Sequence, residues 1–166
     1  MAGTVSIPAF AGYLGLFAWV FLAEAGVPLL VPTELLLIAG GVAAARNSAS
    51  LGTVALVALA GDLLGTATLF TLVRGFAGRP ELAPTWLARP ISWATAKARL
   101  AGGGSLPRIA IARSIPFLRI PAAGAAGLVE LGTLPFLAAA LVGGIVWVAL
   151  FVGGAYFVAA GLLPVD

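Results

Sequence analysis

Four charged residues stand inside apolar sequence, and their types and spacing set the chemistry open to this chain. Glu24 and Glu34 flank two prolines in Glu24-Ala-Gly-Val-Pro28-Leu-Leu-Val-Pro32-Thr-Glu34. Arg113 and Arg119 flank another in Arg113-Ser-Ile-Pro116-Phe-Leu-Arg119, with Pro121 two residues further on. A charge at bilayer depth costs about 3 kcal/mol or more, so it persists where it faces a partner, a cavity or a substrate. Arginine stays protonated and donates through a planar fork, which suits a lipid phosphate in a low-dielectric region. A buried carboxyl beside a guanidinium can exchange a proton as an anion arrives and leaves. Acids in one broken apolar segment and bases in another therefore predict a polar site in the middle of a membrane.

Each assignment has a plainer rival. Arg113 and Arg119 either coordinate phosphate or snorkel and pair structurally with an acid. Glu24 and Glu34 either couple to protons or merely neutralise the two arginines. Asp62, the sole charge in another apolar run, is a third acid for proton coupling or charge pairing, or a helix-packing hydrogen bond. Arg113 and Arg119 are six residues apart, so a regular helix would point them in different directions. A break at Pro116 lets both face one chamber. Pro28, Pro32, Pro116 and Pro121 are read as structural breaks, because each lacks a backbone donor and crowds the preceding turn.

The elements that must position these residues follow from composition and patterning. The chain has 166 residues, 61% of them hydrophobic and 9% charged, with a mean hydropathy of +1.13. Charged groups this sparse cannot cover a soluble surface. The fold class predicted is an all-α integral membrane protein forming a single domain over 1–166. Residues 7–23 predict a transmembrane helix near the lower length limit, and 51–73 and 131–163 predict two more. Residues 24–46 and 106–129 are apolar but interrupted by proline and glycine, and each predicts a re-entrant helix pair. One span separates them, so they would enter from opposite faces as a weak inverted repeat, a pattern of transporters with midplane sites. Residues 74–105 predict a basic loop or interfacial helix, with Trp86, Trp93 and Leu100 at seven-residue intervals and Arg89, Lys97 and Arg99 beside them. Gly61 and Gly65 form a small-xxx-small pair for close helix approach.

Three blocks of residues carry a family resemblance. They are Glu24-x-Gly26-x-Pro28-x-x-x-Pro32-x-Glu34 running on to Ala39-Gly40, Gly61-Asp-Leu-Leu-Gly65 through Phe70 and Arg74, and Arg113-x-x-Pro116-x-x-Arg119 before a Gly-x-x-x-Trp147 helix. In order and spacing, over roughly residues 17–160, the chain resembles the DedA family of bacterial inner-membrane proteins, also called the VTT or SNARE-associated Golgi protein domain. The resemblance implies two opposed re-entrant hairpins and the movement of lipid carriers, notably undecaprenyl phosphate, with dependence on the proton-motive force. Eukaryotic relatives imply phospholipid scrambling instead. By the same resemblance Glu24 and Glu34 are the essential membrane acids and Arg113 and Arg119 the essential arginines. Phe70 departs from a commoner tyrosine, and Leu72-Val73 from a glycine that often precedes the arginine. By its length the chain is not expected to carry the additional C-terminal spans of some members.

Function classes narrow further by what the chain lacks. It has no histidine and no cysteine, which removes the usual proton shuttle, thiol chemistry and the commonest metal ligands. No metal, no cofactor and no enzymatic activity are expected. The phosphate-cradling G-x-x-x-x-G-K-[ST] loop is missing, so ATP is not the expected energy source. The basic residues do not interleave with a polar aromatic surface, so nucleic acid is not an expected partner. Eight of the nine Lys and Arg residues fall between Arg74 and Arg119, which places loop 74–108 in the cytoplasm by the positive-inside rule. The N-terminus is then inside and the C-terminus outside, with no cleaved signal peptide. The expected partners are membrane lipids and protons, and a homo-oligomer is compatible with the apolar helices. A lipid-carrier flippase is the leading expectation. A nonselective scramblase, a proton-coupled small-ion or drug antiporter, and an assembly subunit without transport are the alternatives.

Overall fold

The computed structural model of the chain describes residues 9–87, 106–129 and 131–162. Within them the ordered elements are helical. Helix α1 spans Ala9–Glu24, α2 Thr33–Ala45, α3 Leu51–Phe76, α4 Leu106–Ser114, α5 Arg119–Leu128, α6 Thr133–Val148 and α7 Gly154–Leu162. A short 3-10 turn at Pro80–Leu82 follows α3, and a π turn at Ala149–Gly153 joins α6 to α7. Helices α6 and α7 thus form one continuous rod of 30 residues. That rod and the 26-residue α3 are long and apolar enough to cross a membrane, whereas the described part of α1 is shorter.

Local sequence explains where the helices stop. Helix α1 ends in a Schellman motif: Gly26 N–H donates to Ala23 O at 3.0 Å and Val27 N–H to Leu22 O at 3.0 Å. The motif needs a left-handed residue, and Gly26 supplies it with φ of 91° at no Cβ penalty. Helix α2 ends the same way, with Asn47 at φ 55° and Ser48 N–H donating to Ala43 O at 3.0 Å. Ser50 then caps α3, its hydroxyl accepting from Thr53 N–H at 3.4 Å. Its own N–H donates to the Tyr13 hydroxyl at 2.9 Å, which ties the start of α3 to α1.

The prolines act differently from one another. Pro28 follows the α1 cap and Pro32 precedes α2, so residues 24–46 hold one helix after an irregular stretch. The helix pair expected within that segment does not form, because two prolines four apart remove the donors a first helix would need. Residues 106–129 do form a helix pair, broken at Ile115–Leu118 around Pro116. Pro121 lies inside the first turn of α5, where the backbone N–H has no helical acceptor to lose. It is therefore part of a helix start rather than a break. Helix α3 runs to Phe76, beyond the expected 51–73, since no proline interrupts the chain from Leu51 until Pro80. Most of the expected interfacial helix, with Trp93, Leu100, Arg89, Lys97 and Arg99, lies outside the described residues.

Helix α3 is the central post. It packs on α1, α5, α6 and α2, while α4 lies on α6 and α2 lies on α7 and the π turn. Glycines set these approaches. A Cβ at Gly61 or Gly65 would strike the α1 backbone, one at Gly41 the π turn, and one at Gly143 the α4 backbone. Two apolar cores result. One gathers Leu69, Phe70 and Val73 with Ile109, Ala123, Ala126 and Phe136, the Phe70 and Phe136 rings stacked at 4.1 Å. The other gathers Val54 and Ala58 with Val20, Leu37, Trp147 and Val152. On α3 the stretch between the two cores holds Asp62 and Thr66, and on α6 it holds Gly143 and Gly144.

Candidate functional site

Between those cores four charged side chains meet. Arg113 Nη2 donates to Asp62 Oδ1 at 2.7 Å, and Arg119 Nη2 donates to the same oxygen. Arg119 Nε pairs with Glu24 Oε1 at 2.8 Å, and Arg113 Nη2 lies 3.7 Å from Glu24 Oε2. Thr66 Oγ1 donates to Glu24 Oε2 at 3.5 Å. All four charged residues are at most 2% exposed. Two acids face two bases, so the cluster is neutral as a whole. Neutrality is the condition under which four charges can remain this far from water.

Each side chain arrives from a different local device. Glu24 is the last residue of α1, held by the Gly26 cap. Asp62 is on α3 and lies about 16 Å from its start and about 21 Å from its end at 1.5 Å rise per residue. Arg113 is in the last turn of α4 and Arg119 is the first residue of α5. The break between them reorients the chain, and Arg113 Nη1 reaches across it to donate to the Arg119 carbonyl at 3.3 Å. The reorientation passes through Phe117, at φ of 67° and 89% exposed. A bulky residue in that region is a genuine backbone outlier.

Helix α6 adds no charge but abuts three of the four charged residues. The Arg113 Cβ rests against Gly143, and Asp62 Oδ2 fills the space a side chain at Gly144 would need. One turn on, the Arg119 guanidinium carbon sits 3.3 Å from the centre of the Trp147 ring. Asp62 Oδ2, Arg113 Nε, Arg119 Nη1 and Trp147 Nε1 are buried without a hydrogen-bond partner. Orphans of this kind mark a strained or functional interior rather than a finished structural core.

Among the candidates named from sequence, the geometry gathers Glu24, Asp62, Arg113 and Arg119. Glu34 is not among them. It is half-buried in the first turn of α2, where its charge complements the helix N-terminus, and it is not among the acids that pair with Arg113 or Arg119. Asp62 accepts a hydrogen bond from both arginines, and its signal was the lone charged side chain in the apolar run 51–73, between two packing glycines. Thr66 had no sequence signal beyond its helical spacing from Asp62, and Trp147 stood in the Gly-x-x-x-Trp147 block with no role against Arg119 assigned to it.

A second feature lies at the far end of α3. Arg74 Nη2 donates to the carbonyls of Val129, at 3.2 Å, and Leu131, and its guanidinium lies 4.4 Å over the Phe70 ring. A cavity of about 460 Å³ opens beside it, lined by Arg74, Ala77, Gly127, Leu128, Val129, Leu131 and Gly132.

The VTT domain matches residues 31–157, a range that includes Asp62, Arg113, Arg119 and Trp147 and begins just after Glu24. No curated protein and no solved structure matches the chain. Since the match covers most of the chain, the protein belongs to the VTT domain family, the domain of the DedA membrane proteins.

Proposed function

We propose that this protein moves a phosphate-bearing lipid across a bacterial inner membrane, with undecaprenyl phosphate the favoured cargo and protons the coupled ion. The observation that carries the reading is the neutral cluster of two guanidinium and two carboxylate groups, sealed between apolar cores halfway along a membrane-length helix. In this reading the Pro28–Pro32 and Pro116–Phe117 breaks are the tips of segments that enter the bilayer from opposite sides and return. Irregular backbone at depth is tolerated where protein buries it or a cavity is lined by it.

Charge balance supplies the mechanism. A phosphate that enters a neutral cluster brings an unpaired negative charge into low dielectric, at a cost of several kcal/mol. A proton taken up by one carboxylate removes that cost. Glu24 is the acid suited to it: its Oε2 is held only at 3.5 and 3.7 Å, by Thr66 and Arg113. Asp62 Oδ1 serves both arginines at once and remains their permanent counter-ion. Phosphate and proton then enter together and leave together. The reading calls for no covalent step.

Vesicles reconstituted with the protein and labelled undecaprenyl phosphate test this. Wild type is expected to translocate the label, faster with an imposed pH gradient. Arg119→Ala and Glu24→Gln are each expected to slow it at least tenfold. Unchanged movement in both variants would remove the reading. Equal translocation of all phospholipids without a gradient would indicate scrambling instead. Proton flux tied to a small cation, with no lipid moving, would indicate an antiporter.

A further inference from the structure

Arg119, one of two arginines that meet both acids, is also stacked on an aromatic ring, and that contact has no structural need of the acids. The Arg119 guanidinium has three kinds of surface. One edge is occupied, by Glu24 at Nε and by Asp62 at Nη2. One face lies against the Trp147 indole at 3.3 Å. Nη1 is buried and has no acceptor. A guanidinium stacked through its face keeps its edges free for hydrogen bonding, and lysine cannot reproduce this.

Trp147 is fully buried and its position is over-determined. It belongs to the apolar core with Val20, Leu37, Val54 and Val152, and its ring also meets Phe151 edge-on at 6.1 Å. Its helix is fixed against the rest of the site at Gly143 and Gly144. The ring therefore cannot follow Arg119 if a carboxylate moves, and it holds the guanidinium in place by a contact that no proton transfer abolishes.

We propose that Trp147 is a positioning residue of the phosphate site: its indole face keeps Arg119 in register, with Nη1 presented to the phosphate, while Glu24 lets go. The proposal rests on the phosphate reading above and adds the device that keeps the arginine from collapsing onto Asp62 when the acids and the cargo exchange. Without the ring, the freed guanidinium would turn its remaining donors to Asp62 Oδ2, the unpartnered oxygen of its permanent counter-ion, and the anion site would close.

Binding to the purified full chain in phosphatidylcholine nanodiscs separates the possibilities, with labelled undecaprenyl phosphate as one probe and inorganic phosphate as a competitor. Trp147→Leu is expected to weaken lipid binding about thirtyfold, the size of a desolvated cation–π contact. Trp147→Phe, which keeps an aromatic face, is expected to stay within about threefold. Arg119→Lys should weaken binding about as much as Trp147→Leu, and adding Trp147→Leu to it should cost little more. Inorganic phosphate should show the same dependence on Trp147.

Trp147→Leu binding within about threefold of wild type, while Arg119→Lys is impaired, would overturn the assignment and leave the phosphate reading intact. So would an effect on the lipid with no counterpart for inorganic phosphate, since the ring would then be sensing the tail. If Arg113→Ala and Arg119→Ala both bind as wild type, the phosphate reading itself fails. Should Trp147→Leu not fold, the cycle of Trp147→Met, an adaptable side chain without an aromatic face, with Arg119→Lys decides: coupled losses support the assignment and strictly additive ones refute it.

Discussion

Asp62 Oδ1 receives a hydrogen bond from each of two buried arginines, so its removal is the most damaging single change the cluster can suffer. Asp62→Asn leaves two buried guanidinium groups to share the charge of Glu24, and breaking a buried pair costs about 3–5 kcal/mol. Thermal unfolding in detergent is expected to show a large loss for Asp62→Asn. Glu34→Gln, at the open end of α2, is expected to change stability by about 0.5 kcal/mol or less. Equal losses for the two would contradict the geometry. The residues that meet were legible by type: all three acids and both arginines were visible as charges in apolar sequence. Which acids meet the arginines was not legible, because proline placement sets where each acid ends up. The Gly26 cap turns the chain away after Glu24, and Pro32 starts a new helix that carries Glu34 elsewhere.

At the scale of elements, glycine rather than side-chain volume determines how closely the helices approach. A Cβ at Gly65 would meet the Phe21 carbonyl and the Glu24 side chain, and one at Gly144 would meet Asp62. Gly65→Ala and Gly144→Ala are each expected to destabilise by about 1–3 kcal/mol and to weaken lipid-phosphate binding. Gly12, Gly15 and Gly52 face open space, so their alanine variants are expected to be neutral or up to about 1 kcal/mol more stable. Melting temperatures across the five variants check this directly. The small-xxx-small pair on α3 was readable, and so were the approximate helix limits. The π turn and the single helix in 24–46 were not. A π turn leaves no trace in hydrophobic periodicity, since one extra residue shifts a pattern that is apolar on every side. The Arg74 clasp shows the same limit: it joins α3 to carbonyls 55 and 57 residues away, a pairing that spacing does not encode.

For the whole molecule, charge outside the bundle is expected to set orientation and charge inside it stability. A cysteine at Asn47, in the turn after α2, is expected to react with a membrane-impermeant maleimide added outside intact cells, and one at Thr85 is not. The reverse pattern would invert the topology drawn from the positive-inside rule. The division of charge along the chain has a consequence for biogenesis. Glu24 and Asp62 both precede the basic region and Arg113 and Arg119 both follow it. A nascent chain therefore delivers the two acids of the cluster to the bilayer before its two arginines have left the ribosome, and neither pair is content in lipid until it finds the other. Synthesised as two separate polypeptides cut near residue 95, each fragment alone should be degraded rapidly. Produced together, they should rescue one another, because electrostatic want, rather than the peptide link, is what draws the halves into one body.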